Sequence, residues 1–122
     1  MNGIIGIMGF LLSTALYAIN MDPQSYAVKI NQSSIVIQLE ANATTGYQWF
    51  VKDYDPQLLH LQSSQYLPPK KKIIGGSGVM IYKFTVNPHA VRPKNSQITF
   101  LYRRPWEPHT GTEKMVTLHF AH

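Results

Sequence analysis

Proton transfer and metal ligation near neutral pH call for histidines, thiols or carboxylates gathered at one place. The five histidines of this sequence, His60, His89, His109, His119 and His122, are scattered along the chain. His119 and His122 stand three apart on a run that reads as a strand, so they point to opposite faces. No carboxylate pair and no ordered serine, histidine and aspartate set indicate hydrolysis. The chain has no cysteine, which excludes a thiolate nucleophile, a cysteine-based zinc site, a disulfide framework and a lipid-bearing cysteine anchor. The expectation is a binding protein with no metal and no other cofactor, and not an enzyme.

Side chains suited to recognition cluster in three short stretches. "NATTGYQW", Asn42 to Trp49, carries two adjacent threonines and a glycine before two large aromatics. "GGSG" occupies Gly75 to Gly78, and "RRPW" occupies Arg103 to Trp106, where a large apolar ring stands among charges and prolines. Each has a plain alternative: Asn, Thr and Gly are common in turns, and a bare hairpin explains a glycine run. Trp106 has its own alternative, folding back onto the end of the domain.

The elements that must hold these loops are strands. Period-two alternation places Ile35, Ile37 and Leu39 on one face of "SIVIQLE" and groups Tyr47, Trp49 and Val51 in "YQWFV". It also groups Met80, Tyr82, Phe84 and Val86, then Ile98, Phe100 and Tyr102, then Val116, Leu118 and Phe120. "SYAVKI" is a weaker run, and "LLHLQ" reads as a short strand in the middle. Prolines and turn residues separate the runs, and no segment holds a helical period for three turns. Six or seven short, half-buried strands predict an all-β fold, an immunoglobulin-like antiparallel β-sandwich whose alternating faces form the core. Counted from Ser34, the three loops follow strands of alternating direction and are expected at one end, where rigid scaffolds carry function.

The chain of 122 residues is long enough for one core and too short for two. An apolar share of 44% with 14% charged residues argues against disorder. Residues 1–18 are set apart by the apolar run "IIGIMGFLL" and the small residues Ser13, Ala15 and Ala18, the pattern of a secretory signal peptide cut after Ala15 or Ala18. No lysine or arginine precedes that run, and it is too short and glycine-broken for a spanning helix. The expectation is a secreted or periplasmic domain over residues 19–122, with no stable membrane association after cleavage. The formal charge of +5 owes much to Lys70, Lys71 and Lys72 and to Arg103 and Arg104. Without a nucleic-acid-binding signature this reads as solvated charge or as steering toward an acidic partner surface, and no nucleic acid is expected. "NQS" at Asn31 and "NAT" at Asn42 are glycosylation acceptors in form. If the first loop must stay open for recognition, a glycan on Asn42 would obstruct it, and the expected source is a cell that does not glycosylate such sites, most simply a bacterium exporting to the periplasm.

In order and spacing, "NATTGYQW", "GGSG" leading into an aromatic-bearing strand, and "RRPW" resemble the signature loops of the chagasin family, small secreted inhibitors of papain-like cysteine proteases. The family pattern is roughly Asn-Pro-Thr-Thr-Gly and an aromatic, then Gly-X-Gly-Gly, then Arg-Pro and Trp or Phe. The resemblance runs from about Ser33 to the end. It departs at Ala43, where the family has proline, a loss of roughly 0.4–1 kcal/mol of preorganisation if the backbone suits proline. It departs again at Ser77, a position strained for serine if it needs positive φ.

What the resemblance implies is a monomeric, reversible, tight-binding inhibitor that blocks the protease cleft with loops 42–47, 73–79 and 103–107. The protease-binding residues carried over are Asn42, Thr44, Thr45, Gly46 and Tyr47, then Gly75, Gly76, Ser77 and Gly78, then Arg104, Pro105 and Trp106. Thr44 and Thr45 would lie over the catalytic centre as a wedge, compact and stiff, with hydroxyls able to donate and accept. Tyr47 and Trp49 would root that loop in the core. Trp106 would be an interface anchor, and Arg104 would bond loop carbonyls or protease carboxylates. Two other readings compete: an exported sandwich that binds another protein or a glycan through the same loops, and a basic adhesion or nucleic-acid module built on Lys70 to Lys72.

Overall fold

In a computed structural model of the chain, residues 24–70 and 77–122 are described. The expected signal peptide, Lys71, Lys72, Gly75 and Gly76 lie outside the described residues. Among the described residues seven strands follow one another: β1 (Gln24–Val28), β2 (Ser34–Ala41), β3 (Gln48–Asp53), β4 (Leu59–Leu67), β5 (Gly78–Val86), β6 (Asn95–Arg103) and β7 (Thr112–Phe120). A single 3-10 turn, Ala43–Thr45, lies between β2 and β3. One sheet has the order β1-β7-β6-β3 and the other β2-β5-β4.

The alternation seen in the sequence is what joins the two sheets. On the smaller sheet Ile35 pairs with Phe84 and Ile37 with Tyr82, and all four side chains are buried. On the larger sheet Ile98 pairs with Val116, and Phe100, Leu118 and Phe120 turn inward beside them. Each such side chain, once buried, contributes about 1.5–3 kcal/mol relative to exposure. Among the described residues no polar or charged residue is fully buried. The core is apolar, and the loops hang from a closely packed centre.

Two elements differ from the sequence reading. β1 pairs with β7 in parallel, from Gln24 opposite Val116 to Val28 opposite Phe120, so the sandwich is not wholly antiparallel. The chain leaves β1 and crosses to the other sheet through a turn clamped by Arg92, which donates to Lys29 O at 3.1 Å and to Gln32 O at 2.7 Å. Alternation is the same in parallel and antiparallel strands, so the pattern was blind to this direction. β4 is the second difference: it runs nine residues rather than the few of "LLHLQ". Ser63 to Leu67 are exposed and held by backbone pairing to β5, with an irregularity between Leu61 and Ser63. An edge stretch that sends no side chain into the core leaves no clear alternation in the sequence.

Candidate functional site

The strand registers bring the three loops to one end. Ala41 at the end of β2 faces Gly78 at the start of β5, and Leu67 at the end of β4 faces Val79. Gln48 at the start of β3 faces Arg103 at the end of β6, and Tyr102 faces Thr112 at the start of β7. The loops β2–β3, β4–β5 and β6–β7 therefore leave the sandwich side by side.

The first loop is built by Asn42. Its Oδ1 accepts the Thr44 N–H at 3.1 Å and the Thr44 hydroxyl at 2.6 Å, so Asn42 caps the 3-10 turn. Asn42 O in turn accepts the Thr45 hydroxyl at 2.9 Å and the Thr45 N–H at 3.3 Å. Thr45 Oγ1 also accepts the Tyr47 N–H at 3.2 Å. Both threonines are exposed, yet each hydroxyl spends its single proton inside the loop. As folded, they present acceptor lone pairs and a compact apolar branch outward.

At Gly46 the backbone reaches φ 80°, the left-handed region that disfavours other residues. Space forbids a side chain there as well, because a Cβ would lie 2.7 Å from Trp106 Cη2. The first and third loops touch at this point. Trp106 is 68% exposed and, among the described residues, lays the rim of its ring against Gly46.

Below the loop runs an aromatic stack. Tyr47 stacks on Tyr102 with centroids 5.1 Å apart, and Trp49 tilts against the same ring at 4.6 Å. Trp49 also meets Phe100 edge-on and packs against the core, whereas Tyr47 lies over Tyr102 and is not part of the core. The expectation of two core anchors therefore holds for Trp49 and not for Tyr47, whose stacking partner is itself only half buried. Two hydrogen bonds sew the sheets together here: Trp49 Nε1–H to Glu40 O at 2.9 Å, and Tyr82 O–H to Trp49 O at 3.2 Å. Burial pushes the Tyr82 hydroxyl up to about 12, so it remains a donor at any ordinary pH.

The third loop closes as a turn with Glu107 N–H donating to Arg104 O at 3.0 Å. Arg104 reaches back across it. Its Nε donates to Thr45 O at 3.5 Å, a long contact, and its guanidinium lies 4.6 Å from the Tyr47 ring centre. The same group pairs with Glu107 at 3.3 Å and stands 6.0 Å from the Trp106 ring centre. Arg103 lies over Phe50 at 4.0 Å and donates to Arg104 O and Pro105 O, at 3.1 and 3.3 Å. Arg103, Tyr102 and Glu107 were not among the sequence-predicted site residues. Their one signal was proximity to "RRPW", because support roles of this kind depend on cross-strand neighbours.

At the second loop Ser77 is exposed and Gly78 is buried. A Cβ at Gly78 would lie 2.3 Å from Leu67 O and 2.6 Å from the Tyr66 hydroxyl, so glycine is needed for room rather than for positive φ. Between this root and the first loop is a hollow of about 340 Å³, bordered by Ala41, Gly46, Tyr47, Trp49, Tyr66 and Met80. The structure thus gathers Asn42, Thr44, Thr45, Gly46, Tyr47, Arg104 and Trp106 into one contact group, with Pro105 in its turn and Ser77 and Gly78 adjoining through Ala41. His119 and His122 are remote, bonded to Asn95 and Pro93 at the opposite end of β7.

Two solved structures share this architecture. The cysteine protease inhibitor EhICP2 from Entamoeba histolytica superposes with a TM-score of 0.61 at 20% identity, over 84% of this chain and 91% of that one. The solution structure of amebosin does so with a TM-score of 0.57 at 22% identity, over 84% and 93%. No curated protein matches by sequence. The family model described as chagasin family peptidase inhibitor I42 matches residues 28–120, from the last residue of β1 to the last of β7, with all three loops inside the match. On that match the chain belongs to the chagasin family of peptidase inhibitors.

Proposed function

We propose that this protein is a reversible, tight-binding inhibitor of papain-like cysteine proteases that blocks the active-site cleft with its three loops. The observation that supports it most is the seam between the first and third loops, where Gly46 carries the rim of Trp106 and Thr45 O meets Arg104. Thr44 and Thr45 project as a narrow edge from a hydrogen-bonded turn, with an exposed tryptophan at their flank. A rigid aromatic beside a compact wedge buries much surface at small entropic cost.

The wedge needs no chemistry. Asn42 and both threonine hydroxyls satisfy one another, so nothing in the turn activates a peptide bond or holds one for attack. The protein acts as an inhibitor and not as an enzyme, exported under the leader-like residues 1–18 and working as a monomer outside the cytoplasm.

Titration of papain with the purified protein tests the reading. Stoichiometric, reversible inhibition is expected, with the inhibitor recovered uncut between Asn42 and Gly46 after long incubation. Papain whose thiol carries a small blocking group should still bind, more weakly. Loss of binding on blocking, with steady cleavage inside "NATTG", would reveal a slow substrate. No inhibition at all would favour a sandwich directed at another protein or a glycan.

A further inference from the structure

We infer that Arg104 is a positioning residue: it acts through the first loop, holding it rigid in place of the proline that Ala43 lacks, rather than by contact with the protease. The inference rests on the cleft-blocking reading above. The Arg104 guanidinium bridges the first and third loops. Its Nε–H points to Thr45 O at 3.5 Å, its plane covers Tyr47 at 4.6 Å, and its charge is matched by Glu107 at 3.3 Å. Nε and Nη1 and the face of the guanidinium are thus turned to Thr45, Glu107 and Tyr47, an arrangement that ties the first loop to the third before any protease arrives. Two of these partners, Thr45 and Tyr47, flank Gly46, which stands at φ 80° and is the loop residue with the fewest intrinsic backbone restrictions.

The same region explains why a brace is useful. Ala43 is the first residue of the 3-10 turn capped by Asn42. At that position a helical φ near −60° and an N–H with no partner inside the turn are what proline supplies. Proline would restrict the loop from within the chain. With alanine there, restriction comes from across the gap, through a side chain of the third loop.

The test combines Arg104→Gln, Ala43→Pro and the double variant. In the free protein, backbone amide relaxation should show Thr44, Thr45 and Gly46 rigid in the wild type, with order parameters near ~0.85, and falling below ~0.6 in Arg104→Gln. Papain inhibition by Arg104→Gln should weaken about tenfold, mainly through slower association, since fewer molecules hold the binding shape. Ala43→Pro should improve the wild type by about two- to fivefold at most. In the Arg104→Gln background it should recover most of the loss and restore the order parameters. Equal gains from Ala43→Pro in both backgrounds would overturn the inference, because Arg104 would then touch the protease directly. Unchanged amide order in Arg104→Gln would overturn it too. A wild type that fails to inhibit papain would refute the cleft-blocking reading, and the relaxation data would still decide the brace.

Discussion

Gly46→Ala places one methyl group in the seam between the wedge and Trp106, and its cost divides into two parts. Holding alanine at φ 80° costs ~1–2 kcal/mol. The new Cβ, 2.7 Å from Trp106 Cη2, must also push the ring away. That displacement is cheap in itself, because Trp106 is 68% exposed and free to swing outward, but it ends the contact between the loops. If the loop keeps its shape, the strain appears as lost stability, a fall of roughly 4–8 °C in Tm per kcal/mol for a domain of this size. If the loop relaxes instead, the melt is spared and the cost returns on binding, as an inhibition constant weakened about 5- to 30-fold. Thermal melts and papain inhibition measured together should therefore show a summed loss of at least ~1 kcal/mol. Repeating the substitution in a Trp106→Ala background removes the ring and leaves the backbone part, so the loss in binding should shrink. A Gly46→Ala protein that melts and inhibits like the wild type would refute the argument. So would an undiminished loss in the Trp106→Ala background, since it would show that the ring contact plays no part.

Trp106→Ala should weaken papain inhibition by ~2 kcal/mol or more while barely moving the melt, since so exposed a ring supports binding rather than folding. Trp49→Ala should do the reverse, costing about 3 kcal/mol of stability through the lost aromatic packing, with a further loss from the Glu40 carbonyl left without its indole donor. Gly78→Ala should destabilise by ~1–3 kcal/mol in chemical denaturation, because its Cβ meets the backbone oxygen of Leu67, which has little room to retreat. Stability should also fall at high pH. The Tyr82 hydroxyl stays protonated in the folded protein to about 12, whereas in the unfolded chain it ionises near 10. The unfolded state therefore holds fewer protons in that window, and stability declines as pH rises from ~10 to ~12, by at most ~1.4 kcal/mol per pH unit. Tyr82→Phe should flatten this part of the denaturation profile, while losing the bond to Trp49 O at all pH values.

Much of the sandwich could be read from the chain because its strands bury one face each. Ile35, Ile37 and Leu39 alternate with Val36, Gln38 and Glu40, which face outward, and the structure turns the first three into the core. Turn residues told where strands stop, and counting their alternating directions placed the three loops at one end. The far half of β4 could not be read, since Ser63 to Leu67 send no fully buried side chain into the core. The parallel setting of β1 escaped for a related reason: side-chain periodicity carries no direction, and the turn that follows β1 is held by Arg92, far along the chain.

The same division runs through the candidate site. The residue types of "NATTG", "GGSG" and "RRPW" belong to the sequence alone, as do the local bonds from Asn42 to Thr44 and Thr45, which join residues two or three positions apart. Such contacts form wherever the chain turns, and a string of letters is enough to expect them. Only the fold decided that Arg104 would lie over Tyr47 and meet Thr45 O, fifty-nine positions away in sequence, or that Gly46 would be needed to make room for Trp106. Likewise only the fold showed that Gly78 answers to crowding by Leu67 and Tyr66 rather than to φ. Local preference acts between chain neighbours, whereas these pairings exist because β3 and β6 lie in register with Gln48 opposite Arg103, and β4 and β5 with Leu67 opposite Val79. Register is fixed by a core shared among all the strands, so no single stretch of the sequence contains it.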